Sequence, residues 1–254
     1  MGKKRIVILA GDRDTTPVVY HALAREYEVV RVVIEDGVGV HKLLKWRLKR
    51  SGFWSVFGQG LFIVFVMPFL RREAKSRIQE IMSEYGFSAE PIPHEKVAPV
   101  SSVNTDEARH IIMAANPDVV VVHGTRIIGK KTLQEVGVPF INIHAGITPR
   151  YRGGHGGYWA LVESDPARCG VTVHMIDEGI DTGRILAQAP IMPGPDDNFC
   201  TYPWLQLGAG LQLLMHSLEE QPATMIPHKG DESLTWEHPT IWGYMRARYK
   251  YGVK

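Results

Sequence analysis

Asn142 and His144 stand two residues apart in the run VPFINIH, residues 138–144. A short apolar run of this kind reads as a strand. Side chains alternate along a strand, so both polar groups share one face while Ile141 and Ile143 take the other. An amide N–H donates to an oxygen that gains negative charge. An imidazole stabilises the same oxygen or passes a proton to a leaving nitrogen. The local sequence positions no serine or cysteine as a nucleophile, so an enzyme built on this pair lets its substrate supply one. An acid is then needed to orient or charge the imidazole. The segment DEGIDTG, residues 177–183, offers Asp181 first, with Asp177 and Glu178 as rivals, and Gly179 and Gly183 let its backbone approach a ligand closely. Taken alone, Asn142 and His144 read first as a hydrogen-bonded core pair and Asp181 as a turn-former. The two blocks together, in this order, shift the reading to chemistry.

The elements that must position these groups follow an α/β pattern. RIVILA (5–10) is a buried strand, and Thr16 is placed to cap a helix beginning at Pro17. Val29 to Ile34 is a second strand, which completes a β-α-β opening of doubly wound type. The connecting loop GDRDTT lacks the GxGxxG fingerprint. It can still hold a phosphate through backbone N–H groups and the hydroxyls of Thr15 and Thr16, against the opposition of two aspartates. Residues 72–85 read as helix, as do 105–115 with Thr105 as cap. VVVVH is a buried parallel strand, and VTVHMID and RILAQAPI are two more. GGYWALVE and WLQLGAGLQLLMHSLEE are helices. The expected fold is a Rossmann-like, mostly parallel, doubly wound sheet with helices on both faces and a short C-terminal extension. Residues 1–220 form the main domain, with an insertion at about 42–77, and 221–254 form the extension, anchored by Trp236, Trp242, Tyr244 and Tyr249.

NIHAGITPRYRGG followed by GVTVHMIDEGIDTGRILAQ resembles the catalytic core of the N10-formyltetrahydrofolate-dependent formyltransferases. That superfamily includes glycinamide ribonucleotide, methionyl-tRNA and amino-sugar N-formyltransferases. Its signature is Asn-x-His at a strand end, a proline-containing loop, and an aspartate in a D-E-G-x-D-x-G turn. Asn142, His144 and Asp181 match it, with Asp181 lying 39 residues beyond Asn142. HGTRIIGKKTL (123–133) resembles the family's folate-side loop. The match is strong from about Asp118 to Pro190, looser over the N-terminal β-α-β and weak over 40–100.

The resemblance implies an activity and a set of roles. A substrate amine attacks the formyl carbon of N10-formyltetrahydrofolate. Asn142 and His144 stabilise the resulting oxyanion, and Asp181 orients and charge-stabilises His144 and helps the proton reach the departing N10. The pterin lies between Arg126, Ile127 and Ile128 and the turn carrying Asp177, Glu178 and Gly179. Thr15, Thr16, Arg152 and His155 are the candidates for substrate contact, whereas His123 and His174, at or within strands, read as structural. No metal is expected. The acceptor is a primary amine, best matched by a phosphate-bearing amino sugar that is nucleotide- or lipid-linked. A methionyl-tRNA enzyme would carry a further C-terminal domain, whereas only about sixty residues follow Pro193. A glycinamide ribonucleotide enzyme would carry a different phosphate loop after the first strand. The alternatives are a formyltetrahydrofolate hydrolase, a glycinamide ribonucleotide formyltransferase and a non-catalytic folate-binding protein. No nucleic acid partner is expected, and a homodimer is the default.

Bulk properties set further limits. The chain has 254 residues, 44% hydrophobic and 22% charged, which is globular composition. Cys169 and Cys200 stand far from any zinc-like spacing and read as reduced thiols in a cytoplasmic protein. The N-terminus is charged too early for a signal peptide. The net charge of +2 conceals a concentrated patch, because residues 42–77 hold nine basic residues and one acid. Between the basic clusters lies SGFWSVFGQGLFIVFVMPFL (51–70), twenty residues without a charge. It admits a spanning helix by length, opposed by its glycines, glutamine and proline and by basic flanks at both ends. It also admits a segment lying on an anionic membrane surface, or a helix or hairpin packed on the domain or on a second subunit.

Overall fold

A computed structural model describes residues 2–37, 39–219 and 232–254. Its centre is a seven-stranded sheet. In chain order the strands are β1 (Arg5–Gly11), β2 (Glu28–Glu35), β3 (Val97–Val100), β4 (Val119–His123), β5 (Phe140–His144), β7 (Gly170–Met175) and β8 (Ile185–Pro190). The spatial order is β3-β2-β1-β4-β5-β7-β8. The first five run parallel, β7 is antiparallel to β5, and β8 is antiparallel to β7. The remaining strands, β6 (Arg152–Gly153) and β9 (Thr235–Trp236), form a separate two-stranded ladder.

The aliphatic runs bury both faces of the sheet. Ile6, Ile8 and Ala10 pack beneath α1 (Thr16–Glu26) and α8 (Tyr202–Glu219), while Val7 and Leu9 face α5 (Asp106–Ala114) and α6 (Lys130–Val136). Strands covered on both sides need no polar alternation, which is why they read as continuous apolar runs. The α5 cap is as expected, with Thr105 Oγ1 accepting from the Ala108 N–H at 3.2 Å. Gly210 in α8 permits close helix–sheet contact, since a Cβ there would stand 2.5 Å from Ile143 Cγ2. The face of β5 that turns away from its catalytic candidates is thus pinned directly by α8.

The structure departs from the sequence reading in four places. Thr16 is not the cap of α1: it is the first helical residue, buried, and its hydroxyl donates to the Gly11 carbonyl at 2.8 Å. β3 was not anticipated, because VAPV is short and carries Pro99; it is tolerated as an edge strand paired to β2 alone. The insertion is helical almost throughout. It comprises α2 (Val40–Ser51), α3 (Phe53–Leu61), a π-helical turn (Phe62–Val66) and α4 (Met67–Glu84), so the helix expected over 72–85 begins far earlier. Phe53–Glu84 is long and apolar enough to cross a membrane by length and composition. Finally, Tyr249 anchors nothing, being 95% exposed, whereas Tyr244 is buried and Trp236 stacks on Tyr151 and Trp159. The domain boundary expected at 220/221 lies outside the described residues. The tail beyond it packs on the core through β9 and α9 (Ile241–Tyr251).

Candidate active site

The C-terminal ends of β1, β4 and β5 open on one cavity of about 610 Å³. This is the crevice where strand order reverses, beside β1, and it is where doubly wound sheets bind ligands. The loop after β1 contributes Arg13 and Thr15. The end of β4 and its loop contribute His123 to Ile128, β5 contributes Asn142 and His144, and the turn after β7 contributes Asp177 and Gly179 to Asp181.

Asn142 and His144 lie on the face of β5 shared with Phe140, as the strand period requires. Antiparallel pairing sets His174 directly opposite Asn142. Asn142 Nδ2 lies 3.1 Å from His174 Nε2, and His174 Nδ1 lies 2.8 Å from the Met175 carbonyl. A carbonyl only accepts, so the His174 proton sits on Nδ1 and Nε2 receives the Asn142 N–H. This bond fixes the amide orientation and leaves a second Asn142 N–H for the cavity.

His144 is held from both sides. Its Nε2 is 2.7 Å from the Tyr151 carbonyl, and its Nδ1 is 3.3 Å from Asp181 Oδ2. Both partners are pure acceptors, so the ring is fully satisfied only as an imidazolium. Burial pulls its pKa down, while Asp181 and the Tyr151 carbonyl pull it up, and burial prevails. With acceptors at both nitrogens, the ring sits in a setting arranged to receive a proton. The Tyr151 carbonyl reaches His144 because Gly146 lacks a side chain: a Cβ there would stand 2.2 Å from that oxygen and 2.9 Å from His144 Nε2.

Asp181 sits in the left-handed region at φ 51°, in a turn braced by Arg152 Nη1, which donates to the Ile180 carbonyl at 3.0 Å. Burial acts to raise its pKa. The approach of His174, the charge His144 can carry and the Gly153 N–H at 2.9 Å outweigh burial and hold it at about 2. Asp181 is therefore a fixed negative charge beside His144 and, at 3.6 Å from Oδ1, His174 Nε2.

The other expected site residues divide. Arg126, Ile127 and Ile128 line one wall and Asp177 and Gly179 the opposite one. The Arg126 loop is tied down by buried Glu35, whose carboxylate accepts from the Arg126 backbone N–H at 2.5 Å and stands 2.7 Å from Nε. Glu178 turns outward to Lys130 at 2.9 Å, both largely exposed, so its side chain is not in the cavity. Gly183 packs on the Met175 carbonyl, not on ligand space. Thr15 lines the cavity and bonds His123 Nε2 at 2.8 Å, whereas Thr16 is buried away from it. Arg152 is a brace behind the turn. His155 lines the cavity 3.1 Å from His238.

Sequence reasoning passed over Arg13, Arg47 and His238 and read His123 and His174 as structural; all five line the cavity. His174 was visible only through the β5–β7 register. Arg47 had a signal in the basic run, but nothing in the sequence tied that run to the site. The lining residues include no serine or cysteine. Among the described residues no group of His, Cys, Asp and Glu is arranged to hold a metal ion.

The chain resembles known proteins in sequence and in fold. The family described as Formyl transferase matches residues 69–201, just over half the chain. A methionyl-tRNA formyltransferase of Desulfotalea psychrophila is 35% identical over 143 residues, covering 56% of this chain and 44% of that protein. The chain thus spans less than half the length of the curated relatives it matches. Among solved structures, phosphoribosylglycinamide formyltransferase from Anaplasma phagocytophilum superposes with a TM-score of 0.55 at 16% identity, over 92% of this chain and 99% of that one. A 4-N formyltransferase from Francisella tularensis gives 0.53 at 15% identity, over 91% and 76%. At these identities the structural likeness shows the fold.

Proposed function

Since the chain belongs to the Formyl transferase family, we propose that it moves a formyl group from N10-formyltetrahydrofolate to a primary amine, with Asn142, His144 and Asp181 as its catalytic residues. The observation that carries this reading is the convergence of an amide, an imidazole and a depressed carboxylate on one cavity, His144 and Asp181 standing 3.3 Å apart.

The cavity fits the co-substrate in size and lining. Ile127, Ile128 and Ile176 supply apolar surface and the 126–128 backbone supplies hydrogen-bonding groups. Bound there, N10-formyltetrahydrofolate supplies an activated formyl carbon. Asn142, its amide fixed by His174, aims its remaining N–H at the oxygen that becomes negative. A preorganised donor of this kind is worth about 10²–10³ in rate. His144 stabilises the same oxygen, and the protein meets the cost of charging its ring through two waiting acceptors. The attacking amine gives its proton to the His144–Asp181 pair, which charges the ring; Asp181 stabilises that charge, and the proton then passes to the leaving nitrogen as the N10–formyl bond breaks. Absence of a serine or cysteine from the lining is consistent with attack by the substrate amine itself. Holding two reactants in one cavity supplies further rate enhancement.

The acceptor reading is a phosphate-bearing amino sugar. Arg13 and Arg47 line the cavity, and the charge of both is felt at His155, so that end of the cavity is cationic. A second reading, methionyl-tRNA, is favoured by the names of the relatives at 34–35% identity. The deciding experiment follows tetrahydrofolate release with no acceptor, with nucleotide-linked amino sugars, with glycinamide ribonucleotide and with methionyl-tRNA. Release only with an amino sugar supports the first reading, and release only with methionyl-tRNA replaces it. Equal release without any amine makes the protein a hydrolase.

A further inference from the structure

The helical insertion leaves one long face without a partner. Its inward stripe is Gly58, Phe62, Leu70, Ala74 and Ile81, all buried. A four-residue repeat drifts by about 40° per step on a regular α-helix. The π-helical turn Phe62–Val66 takes up an extra residue and helps keep the stripe on the fold. Phe62 is locked there against Phe199 and Tyr244. The opposite face carries Phe53, Trp54, Phe57, Val64, Phe65 and Phe69, between 46% and 71% exposed. On the preceding helix α2, Leu44, Trp46 and Leu48 are also exposed. α9 packs beside α3, with Trp242 over Gly58, and presents Trp242, Met245 and Tyr249 at helical spacing outward. An apolar surface this extensive is unusual for a face meant for water.

Basic residues predominate among the charges around it. Arg50 and Arg77 are paired with Glu237 and with Glu80 and Asp197. Lys45, Lys49, Arg71, Arg72 and Lys75 are exposed, with Glu73 the one acid between residues 42 and 77.

We infer that this face seats on an anionic membrane surface, with the aromatic side chains in the interfacial region and the basic residues on lipid headgroups. Charge complementarity selects this occupant. A second copy related by a two-fold axis would bring the same patch against itself and oppose like charges. Spanning is disfavoured because the inward stripe is part of the packed fold, and Ser51 Oγ donates to the Glu237 carboxylate at 2.6 Å. A helix with one face held by protein and the other apolar with basic flanks lies in the interface plane. The inference does not rest on the catalytic reading. The two meet at α2, which contributes Trp46 and Arg50 to a groove that adjoins the catalytic cavity and shares Arg47, His155 and His238 with it.

The test is co-sedimentation of the full chain with vesicles of phosphatidylcholine alone or mixed with phosphatidylglycerol, at low and high salt. Binding is expected to be at least tenfold stronger on the anionic vesicles and to weaken with salt. Trp54→Ser with Phe65→Ser, at 71% and 68% exposed positions, should abolish it with an unchanged circular dichroism spectrum and melting temperature. Arg71→Gln with Arg72→Gln should weaken it about fivefold per charge removed. His144→Ala should leave it unchanged, which separates docking from catalysis. Three results overturn the inference: equal or no sedimentation with both vesicle types, a solution dimer lost in the Trp54/Phe65 variant, or wild-type protein that resists alkaline carbonate extraction from membranes.

Discussion

Replacing Asp181 with asparagine keeps the shape of the side chain and removes its charge. The carboxylate stands 3.3 Å from His144 Nδ1 and accepts from Gly153 N at 2.9 Å. At that separation and an effective dielectric near 20, the gross attraction to an imidazolium is about 5 kcal/mol. Desolvation and the retained amide dipole reduce the net loss to about 1.5–3 kcal/mol, so the His144 pKa should fall further. Since the proposed mechanism charges this ring, formyl transfer should drop by about 10²–10⁴. The folded-state pKa of Asp181, about 2 against 3.8, lies below its unfolded value. Its stabilisation is therefore present above pH 3.8 and lost as pH falls towards 2, and amounts to about 2 kcal/mol. The variant should lose that acid-dependent increment. The assays are kcat/KM against pH, NMR titration of the His144 ring and urea melts at pH 7 and pH 3. A variant within threefold of wild-type activity, or one whose His144 titration does not move, would refute the reasoning.

Three further outcomes follow from the same geometry. His123, His155 and His238 are half-buried and neutral, with desolvation taking their pKa values to about 4, 3 and 4. The unfolded chain binds their protons first, so stability is full above pH 6.5 and should fall steadily from there towards pH 4, measured as the urea midpoint. Gly146→Ala places a Cβ 2.2 Å from the Tyr151 carbonyl; it should cost about 1–3 kcal/mol and lower kcat more than it raises KM, because His144 loses its hold. Glu35→Gln weakens the tie on the 126–128 loop and should raise the KM for formyltetrahydrofolate several-fold with kcat little changed, as read by steady-state kinetics.

The sequence made the candidate-site face of β5 legible because strand alternation alone puts Asn142 and His144 together. The spacing of the two motif blocks pointed to Asp181, and the structure places it beside His144. What resisted reading was set by distant pairing. The antiparallel β5–β7 register that puts His174 on Asn142 crosses a long connection that holds a helix and not a hairpin turn. His238 reaches the cavity from a tail with no motif, and Arg47 from an insertion whose packing is tertiary. The insertion itself was obscured by Gly52, Gly58 and Gly60, which argue against helix by propensity. Tertiary burial of its inward stripe overrides that propensity. Thr16 shows the same limit at small scale, since a hydroxyl at a helix start caps the helix or bonds the preceding strand, and the Gly11 carbonyl decides it.

The central claim is that Asn142 and His144 drive formyl transfer. The direct measurement is single-turnover tetrahydrofolate release, with the accepted amine present, for wild type, Asn142→Ala and His144→Ala, alongside formyltetrahydrofolate affinity by equilibrium binding. Release should slow by at least a hundredfold in each variant while affinity stays within a few-fold of wild type. Release at near wild-type rate in either variant, with folding intact, would contradict the account.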